Sequence, residues 1–123
     1  MEHRMTIAGL ERDLPICPVN ENLSIAGFVI FGDPELTVAC ARELLKRAPE
    51  YDYIITAEAK GIPLAHELAR QNNDEIYFVA RKSKKVYMTD AFESSVRSIT
   101  TATEQHLYLD RKDADMMKGK AAK

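Results

Sequence analysis

The sequence is short of the features that mark membrane, secreted and nucleic-acid-binding proteins. No apolar run reaches the length that crosses a bilayer, and the opening residues, Met-Glu-His-Arg-Met, show no signal-peptide pattern. The formal net charge of −2 gives no general attraction to nucleic acid or to anionic membranes. The two cysteines, Cys17 and Cys40, lack the spacing of metal ligands, so we expect reduced, buried thiols. These absences predict a cytoplasmic protein with no nucleic-acid or membrane partner.

What remains is the composition of one globular domain over residues 1–123, with 46% apolar and 29% charged residues. Two short extended segments are expected first, at residues 4–7 and 14–19. Pro15 and Pro18 lack the N–H group that a central strand needs, so we predict an edge strand or an irregular cover there. The apolar residues 24–31 fit either a strand or a buried loop.

Local signals define a first helix. Asp33 can cap it through its carboxylate, and Pro34 suits the first helical position. Pro49 ends the helix. The spacing of its apolar residues predicts a broad buried face, formed by Leu36, Cys40 and Leu44 with Ala41, Leu45 and Ala48.

The central stretch predicts two parallel strands joined by a second helix. Residues 51–57, Tyr-Asp-Tyr-Ile-Ile-Thr-Ala, and residues 75–80, Glu-Ile-Tyr-Phe-Val-Ala, are apolar like buried strands. The intervening helix is expected to bury Leu64, Ala65, Leu68 and Ala69 and to expose Glu67, Arg70 and Gln71. A strand, a helix and a second strand form a right-handed βαβ unit, whose ligands lie beyond the carboxyl ends of the strands.

Charged residues follow both predicted strands. Residues 58–61, Glu-Ala-Lys-Gly, open the second helix, where free N–H groups attract phosphates and Lys60 adds a positive charge. Glu58 would repel a phosphate unless a metal ion or a ribose hydroxyl intervened, and most such turns bind nothing. Residues 81–85, Arg-Lys-Ser-Lys-Lys, are either a solvated loop or a second basic group. Because both groups leave the same end of the sheet, their location favours a multiply charged phosphate ligand.

The last third of the sequence alternates in polarity and predicts a long antiparallel hairpin. Its arms lie within residues 86–110 around a polar tip at residues 100–104, which is of the kind that forms mobile lids. Residues 110–118 are expected to form a short helix or a turn that Gly119 ends. The final residues, Lys-Ala-Ala-Lys, resemble the approach to another buried strand.

Four motifs, in order, resemble the N-terminal two-thirds of a type I phosphoribosyltransferase, nearest to the adenine and xanthine enzymes of purine salvage. Residues 27–33 are similar to the stretch before that family's first long helix, and residues 58–61 to its pyrophosphate loop. Residues 80–85 resemble its Arg-Lys-x-x-Lys segment, and residues 98–110 stand where its flexible lid would be. The resemblance implies a three-layer, Rossmann-like α/β fold with a mostly parallel sheet and a lid hairpin.

The resemblance also implies a reaction. A purine nitrogen attacks the ribose of phosphoribosyl pyrophosphate, which binds with Mg²⁺, and pyrophosphate leaves. The residues that it assigns to pyrophosphate are Glu58, Ala59, Lys60, Gly61, Arg81, Lys82 and Lys85. It assigns the base to Phe31 and Ile30, although a plain core role for Phe31 is equally open. It implies a homodimer, in which the basic segment could reach a neighbouring subunit, and it assigns no protein ligand to the metal and no catalytic residue.

The sequence departs from the family in two places. The lid glutamate of the adenine enzymes has no certain counterpart in residues 98–104, Ser-Ile-Thr-Thr-Ala-Thr-Glu, so the base stays open. The ribose 5-phosphate motif does not follow Lys120, which predicts a sheet incomplete at its C-terminal side and no measurable transferase activity. The implied organisation is a cover at 1–31, a βαβ core at 32–82, a hairpin at 83–110 and an approach to the next strand at 111–123. A non-catalytic sensor of phosphoribosyl pyrophosphate and a structural dimerisation fragment are the alternatives.

Overall fold

The computed structural model describes residues 1–97 and 104–120, and within them it is an α/β structure. In chain order its elements are β1 (Glu2–Ile7), β2 (Leu10–Asn20), β3 (Leu23–Ala26), α1 (Pro34–Arg47), β4 (Ile55–Ala57), α2 (Ile62–Gln71), β5 (Phe78–Ala80), β6 (Phe92–Arg97), β7 (Glu104–Leu109) and α3 (Arg111–Met117). No helix in these residues is long and apolar enough to cross a membrane.

The N-terminal strands form an antiparallel sheet in the order β1-β2-β3. The expected edge position of the proline-containing strand is therefore wrong, since β2 lies between two partners. Its two halves pair separately: β1 pairs with residues 10–15 and β3 with residues 16–20. Each half of β2 has a neighbour on one edge only, so a proline whose nitrogen faces the other edge costs no ladder hydrogen bond. The bulge between Pro18 and Asn20 fits this arrangement.

Side chains of the N-terminal segment are more exposed than the sequence suggested. Cys17 on β2 is exposed, which corrects the prediction of a buried thiol, whereas Cys40 is partly buried and its pKa is raised by that burial. After β3 the chain continues as a loop rather than a strand. Phe28 is 46% exposed in this loop, and Ile30 is buried at 9% exposure.

Helix α1 begins and ends where its local signals predicted. The Asp33 carboxylate accepts the Leu36 N–H at 3.1 Å, and Pro34 takes the first turn. Asp33 also accepts the Arg12 Nε–H at 2.8 Å, which connects β2 to the start of α1. Leu36 is 2% exposed, but Leu44 is 45% exposed because it lines an open apolar cleft of about 370 Å³ beside α2 and β4. The predicted buried face therefore includes neither Leu44 nor Ala48, which is also exposed.

The βαβ unit forms with the predicted topology and shorter strands. β4 and β5 pair in parallel over three positions, from Ile55 opposite Phe78 to Ala57 opposite Ala80. Ile54, just before β4, packs with two buried alanines of α2 to form a small core; these are Ala65 and Ala69.

Glu67 of α2 is more buried than its position on the helix predicts. The sequence placed it on the exposed face, but its exposure is 9%. Its carboxylate accepts hydrogen bonds from Arg70 and Gln71, and these lower its pKa to about 2. The Gln71 side chain also donates to the Val38 carbonyl at 3.1 Å, so Gln71 connects α2 to α1.

The predicted hairpin is present as the antiparallel pair β6–β7, in register from Phe92 opposite Leu109 to Arg97 opposite Glu104. Its predicted tip lies outside the described residues. Helix α3 follows with Asp110 at its N-cap, and Gly119 adopts a φ of +75° just after it. Among the described residues β4–β5 is the one parallel pair and the other sheets are antiparallel, so a mostly parallel sheet is not confirmed.

Candidate functional site

Residues 58–61 and 81–85 emerge side by side at the carboxyl ends of β4 and β5. The last register pair of these strands joins Ala57 to Ala80, and the Glu58 N–H donates to the Ala80 carbonyl at 2.8 Å. Residues 58 and 81 therefore begin their loops from neighbouring positions. We call residues 58–61 the first loop, residues 81–85 the basic segment, and the surface that they form the carboxyl edge.

The first loop is compact. Its Glu58–Ala59 peptide bond is cis, and the Ile62 N–H donates to the Ala59 carbonyl at 3.2 Å. At Gly61 there is no space for a side chain, since a Cβ atom would lie 2.2 Å from the Thr56 Oγ1. Gly61 is the N-cap of α2 and makes no side-chain capping bond. Since the Ile62 N–H is already bonded and Pro63 has no N–H, the first turn of α2 offers an anion few backbone donors.

Glu58 and Arg81 form an ion pair across the carboxyl edge. The Arg81 Nε–H donates to Glu58 Oε1 at 2.8 Å, and the Lys82 N–H donates to the same oxygen at 3.1 Å. These two bonds, chiefly the one from Arg81, lower the pKa of Glu58, and the pair raises the pKa of Arg81. The carboxylate that was expected to repel a phosphate is thus neutralised by an arginine of the neighbouring loop.

Four lysines supply the remaining positive charge of the two loops. Lys60, Lys82 and Lys84 are exposed, and Lys85 is partly buried with its Nζ donating to Ser83 Oγ at 2.7 Å. Because Glu58 and Arg81 balance each other, the charge of these lysines is uncompensated within the two loops. Such a cluster attracts a multiply charged anion.

The two residues predicted to contact a base lie on the loop before α1. Phe31 is 44% exposed, which excludes a plain core role. Ile30 lines a cleft of about 290 Å³ together with Pro63 and Glu67 of α2. Since α2 begins directly after the first loop, one lining residue of this cleft, Pro63, lies two residues beyond that loop.

The base of the hairpin is attached to the basic segment. The Arg81 N–H donates to the Tyr108 carbonyl at 2.8 Å, and the Tyr108 N–H donates to the Arg81 carbonyl at 2.7 Å. On the hairpin itself, the Tyr108 hydroxyl donates to Glu93 at 2.6 Å, and His106 Nδ1 lies 3.2 Å from the same carboxylate oxygen. The hairpin therefore starts at the carboxyl edge.

Tyr87 belongs to the site although no sequence argument identified it. Its side chain is 57% exposed, and its hydroxyl accepts the Arg81 Nη1–H at 2.7 Å. The one available signal was an aromatic residue just beyond a run of cations, which sequence reasoning treats as an ordinary loop residue. Neither that signal nor the spacing of six residues specifies a contact with Arg81.

The described residues contain no cluster of three or more His, Cys, Asp or Glu side chains that could hold a metal ion. The one carboxylate of the first loop, Glu58, is engaged with Arg81 and with the Lys82 amide.

A solved structure shares the fold of this chain. The chain matches the crystal structure of an adenine phosphoribosyltransferase from Thermoanaerobacter pseudethanolicus, with a TM-score of 0.59 at 15% identity. The match covers 80% of this chain and 58% of that one, so the chain spans little more than half of the neighbour's length. No family model and no curated protein matches the sequence. The chain has a phosphoribosyltransferase-like α/β fold.

Proposed function

We propose that the carboxyl edge binds the pyrophosphate group of phosphoribosyl pyrophosphate, and that the chain is part of a purine phosphoribosyltransferase of the adenine or xanthine type. The observation that carries this proposal is the parallel pairing of β4 with β5. That pairing brings Lys60 and the lysines of the basic segment to one edge of the sheet, next to the start of α2.

The proposed binding mode divides the ligand between the two loops. Lys60 and the backbone at Ala59 and Gly61 hold one phosphate, while Lys82 and Lys85 neutralise the other. Mg²⁺ is part of the substrate, bound by its phosphate oxygens, and not a resident cofactor of the chain. The transfer develops positive charge on the ribose and negative charge on the leaving pyrophosphate. Lysines that stabilise the leaving group therefore act where charge develops.

Phe31 and the β6–β7 hairpin also have roles in the proposed reaction. Phe31 stacks on the purine from the loop before α1, near the cleft lined by Ile30, and its exposure leaves its ring available. The β6–β7 hairpin, which is attached at Arg81, covers the bound ligand and excludes water. A homodimer in the cytoplasm, acting in nucleotide salvage, is the proposed setting.

Calorimetry with phosphoribosyl pyrophosphate and Mg²⁺ at constant ionic strength tests the proposal. We expect saturable binding, competition by inorganic pyrophosphate, and an affinity at least about tenfold lower in Lys60→Met, as expected for loss of a charge-assisted phosphate contact. Lys46→Met is the matched control, because Lys46 lies in the last turn of α1 and pairs with Glu43 at 3.2 Å. Equal losses in both variants, or no binding by the unmodified chain, would contradict the proposal.

The same measurements bear on the alternatives. Binding of phosphoribosyl pyrophosphate distinguishes an enzyme or a sensor from a dimerisation fragment, but it does not separate the first two, because we expect no measurable transfer to a purine by this chain in either case. The N-terminal segment gives little support to a DNA-binding sensor, because residues 2–26 form a β-sheet rather than a helical DNA-binding unit. A concentration-dependent dimer on a sizing column, without any affinity for phosphoribosyl pyrophosphate, identifies a dimerisation fragment.

A further inference from the structure

Arg81 contacts three separate parts of the chain at the carboxyl edge. Its Nε–H donates to Glu58 of the first loop, and its Nη1–H donates to the Tyr87 hydroxyl beyond the basic segment. Its backbone exchanges two hydrogen bonds with Tyr108 of β7. One residue thus connects the first loop, the basic segment and the base of the hairpin.

The Glu58–Arg81 pair is also more shielded than the lysines around it. The side chains of Arg81 and Glu58 are 31% and 23% exposed, whereas Lys60 and Lys82 are exposed. Glu58 accepts a further bond from the Lys82 amide, which fixes where the basic segment starts. A partly shielded, geometrically satisfied ion pair of this kind is costly to break, and an incoming anion would have to break it to bind the Arg81 donors now in use.

We propose that Glu58 and Arg81 are positioning residues, which hold the two loops and the hairpin base in register while the lysines contact pyrophosphate. This inference rests on the proposed function and changes the part that the sequence resemblance gave to both residues. If the anion instead took the Arg81 Nε–H, Glu58 would compete with the anion for that donor. The two roles therefore predict opposite effects of removing the Glu58 carboxylate.

Titration with inorganic pyrophosphate, combined with amide hydrogen exchange on the 123-residue chain, distinguishes the two roles. In Glu58→Ala we expect exchange at the Lys82 amide to become at least about tenfold faster, because this donor loses its acceptor. Exchange at the Tyr108 amide should also become at least about tenfold faster, because its acceptor, the Arg81 carbonyl, belongs to a residue that Glu58 no longer holds in place. We expect the pyrophosphate affinity to fall at least threefold, although a negative charge has been removed from the site.

Two comparison variants make the result specific. Glu75→Ala removes an exposed carboxylate near the opposite, amino end of β5, and we expect it to change neither readout. Lys60→Met, a proposed direct contact, should lower the affinity while leaving the Lys82 and Tyr108 exchange rates unchanged.

Tighter pyrophosphate binding in Glu58→Ala, or unchanged exchange at both amides, would overturn the positioning role. No pyrophosphate binding by the unmodified chain would overturn the proposed function itself. In that case the exchange rates alone still decide whether Glu58 and Arg81 hold the loops together, so the two failures are distinguishable.

Discussion

At the scale of single residues, side chains at the carboxyl edge make contacts that their type does not reveal. From the sequence, a glutamate at this edge is expected to repel a phosphate, and an arginine there is expected to bind it. In the structure the two neutralise each other, with Arg81 Nε 2.8 Å from Glu58 Oε1. The sequence could predict that both residues lie at this edge, because parallel strands end there. It could not predict their contact, which depends on side-chain geometry.

Gly61 gives a residue-scale prediction about packing. Its missing Cβ leaves room for Thr56 Oγ1, which would otherwise lie 2.2 Å away. We expect Gly61→Ala to lower the free energy of unfolding by about 1–3 kcal/mol, because the added methyl overpacks the loop. Combined with Thr56→Ala it should cost less than the sum of the two single changes, with a coupling of about 1 kcal/mol. Urea denaturation of all three variants measures this.

Gly27→Ala is the control for that prediction. A Cβ at Gly27 would meet its nearest neighbours at 3.7 Å, an ordinary contact, so this change should be neutral or slightly stabilising. Additive losses in the double variant would show that Thr56 is not what excludes a side chain at position 61.

Glu67 gives a prediction about pH. Its pKa in the folded chain is about 2, below the value of an unfolded glutamate. The stabilisation is thus complete above the unfolded pKa and is lost as the pH falls from there toward 2. Glu67→Gln should cost about 1–2 kcal/mol at pH 7, and this difference should shrink between roughly pH 4.5 and pH 2.

Urea denaturation across that pH range measures the effect. Glu43→Gln serves as the control, because the Glu43–Lys46 pair is exposed and should contribute less than about 1 kcal/mol at any pH. A constant difference between Glu67→Gln and the unmodified chain from pH 7 to pH 2 would contradict the assignment.

At the scale of elements, helices followed their local signals and strands did not. Helix α1 runs from Pro34 to Arg47, between the cap and the proline that the sequence offers. The two apolar runs of the βαβ unit predicted strands of six or seven residues, but only three residues of each pair. A strand ends where its partner's hydrogen bonds end, and no local signal encodes that. The prolines of β2 led to the wrong prediction of its position in the sheet for the same reason, because the two halves of β2 have different partners.

The cap of α1 gives the prediction at this scale. Asp33→Ala removes the bond to the Leu36 amide and the contact with Arg12, and it should lower the melting temperature by about 4–8 °C. Asp33→Asn keeps an equivalent capping oxygen, so it should lose less than half of that. Glu35→Gln alters only an exposed partner of Arg12 and should change little. Equal losses for Asp33→Ala and Asp33→Asn would show that the charge, and not the cap, stabilises the helix.

At the scale of the whole molecule, topology supports the functional account more than any motif does. The sequence predicted one parallel pair with two basic loops at one end, and β4 and β5 provide it. The fold match at 15% identity agrees with that arrangement at the coarse level. Neither the choice of base nor the role of the hairpin follows from topology, because both depend on side chains that vary on one fold.

The central claim is that the first loop and the basic segment form one anion site, and amide chemical-shift mapping with inorganic pyrophosphate tests it most directly. We expect the amides of residues 59–61 and 82–85 to shift together in one saturable titration, and Lys60→Met to weaken the response of both groups equally. Shifts confined to one loop, or two groups that saturate at different pyrophosphate concentrations, would contradict it.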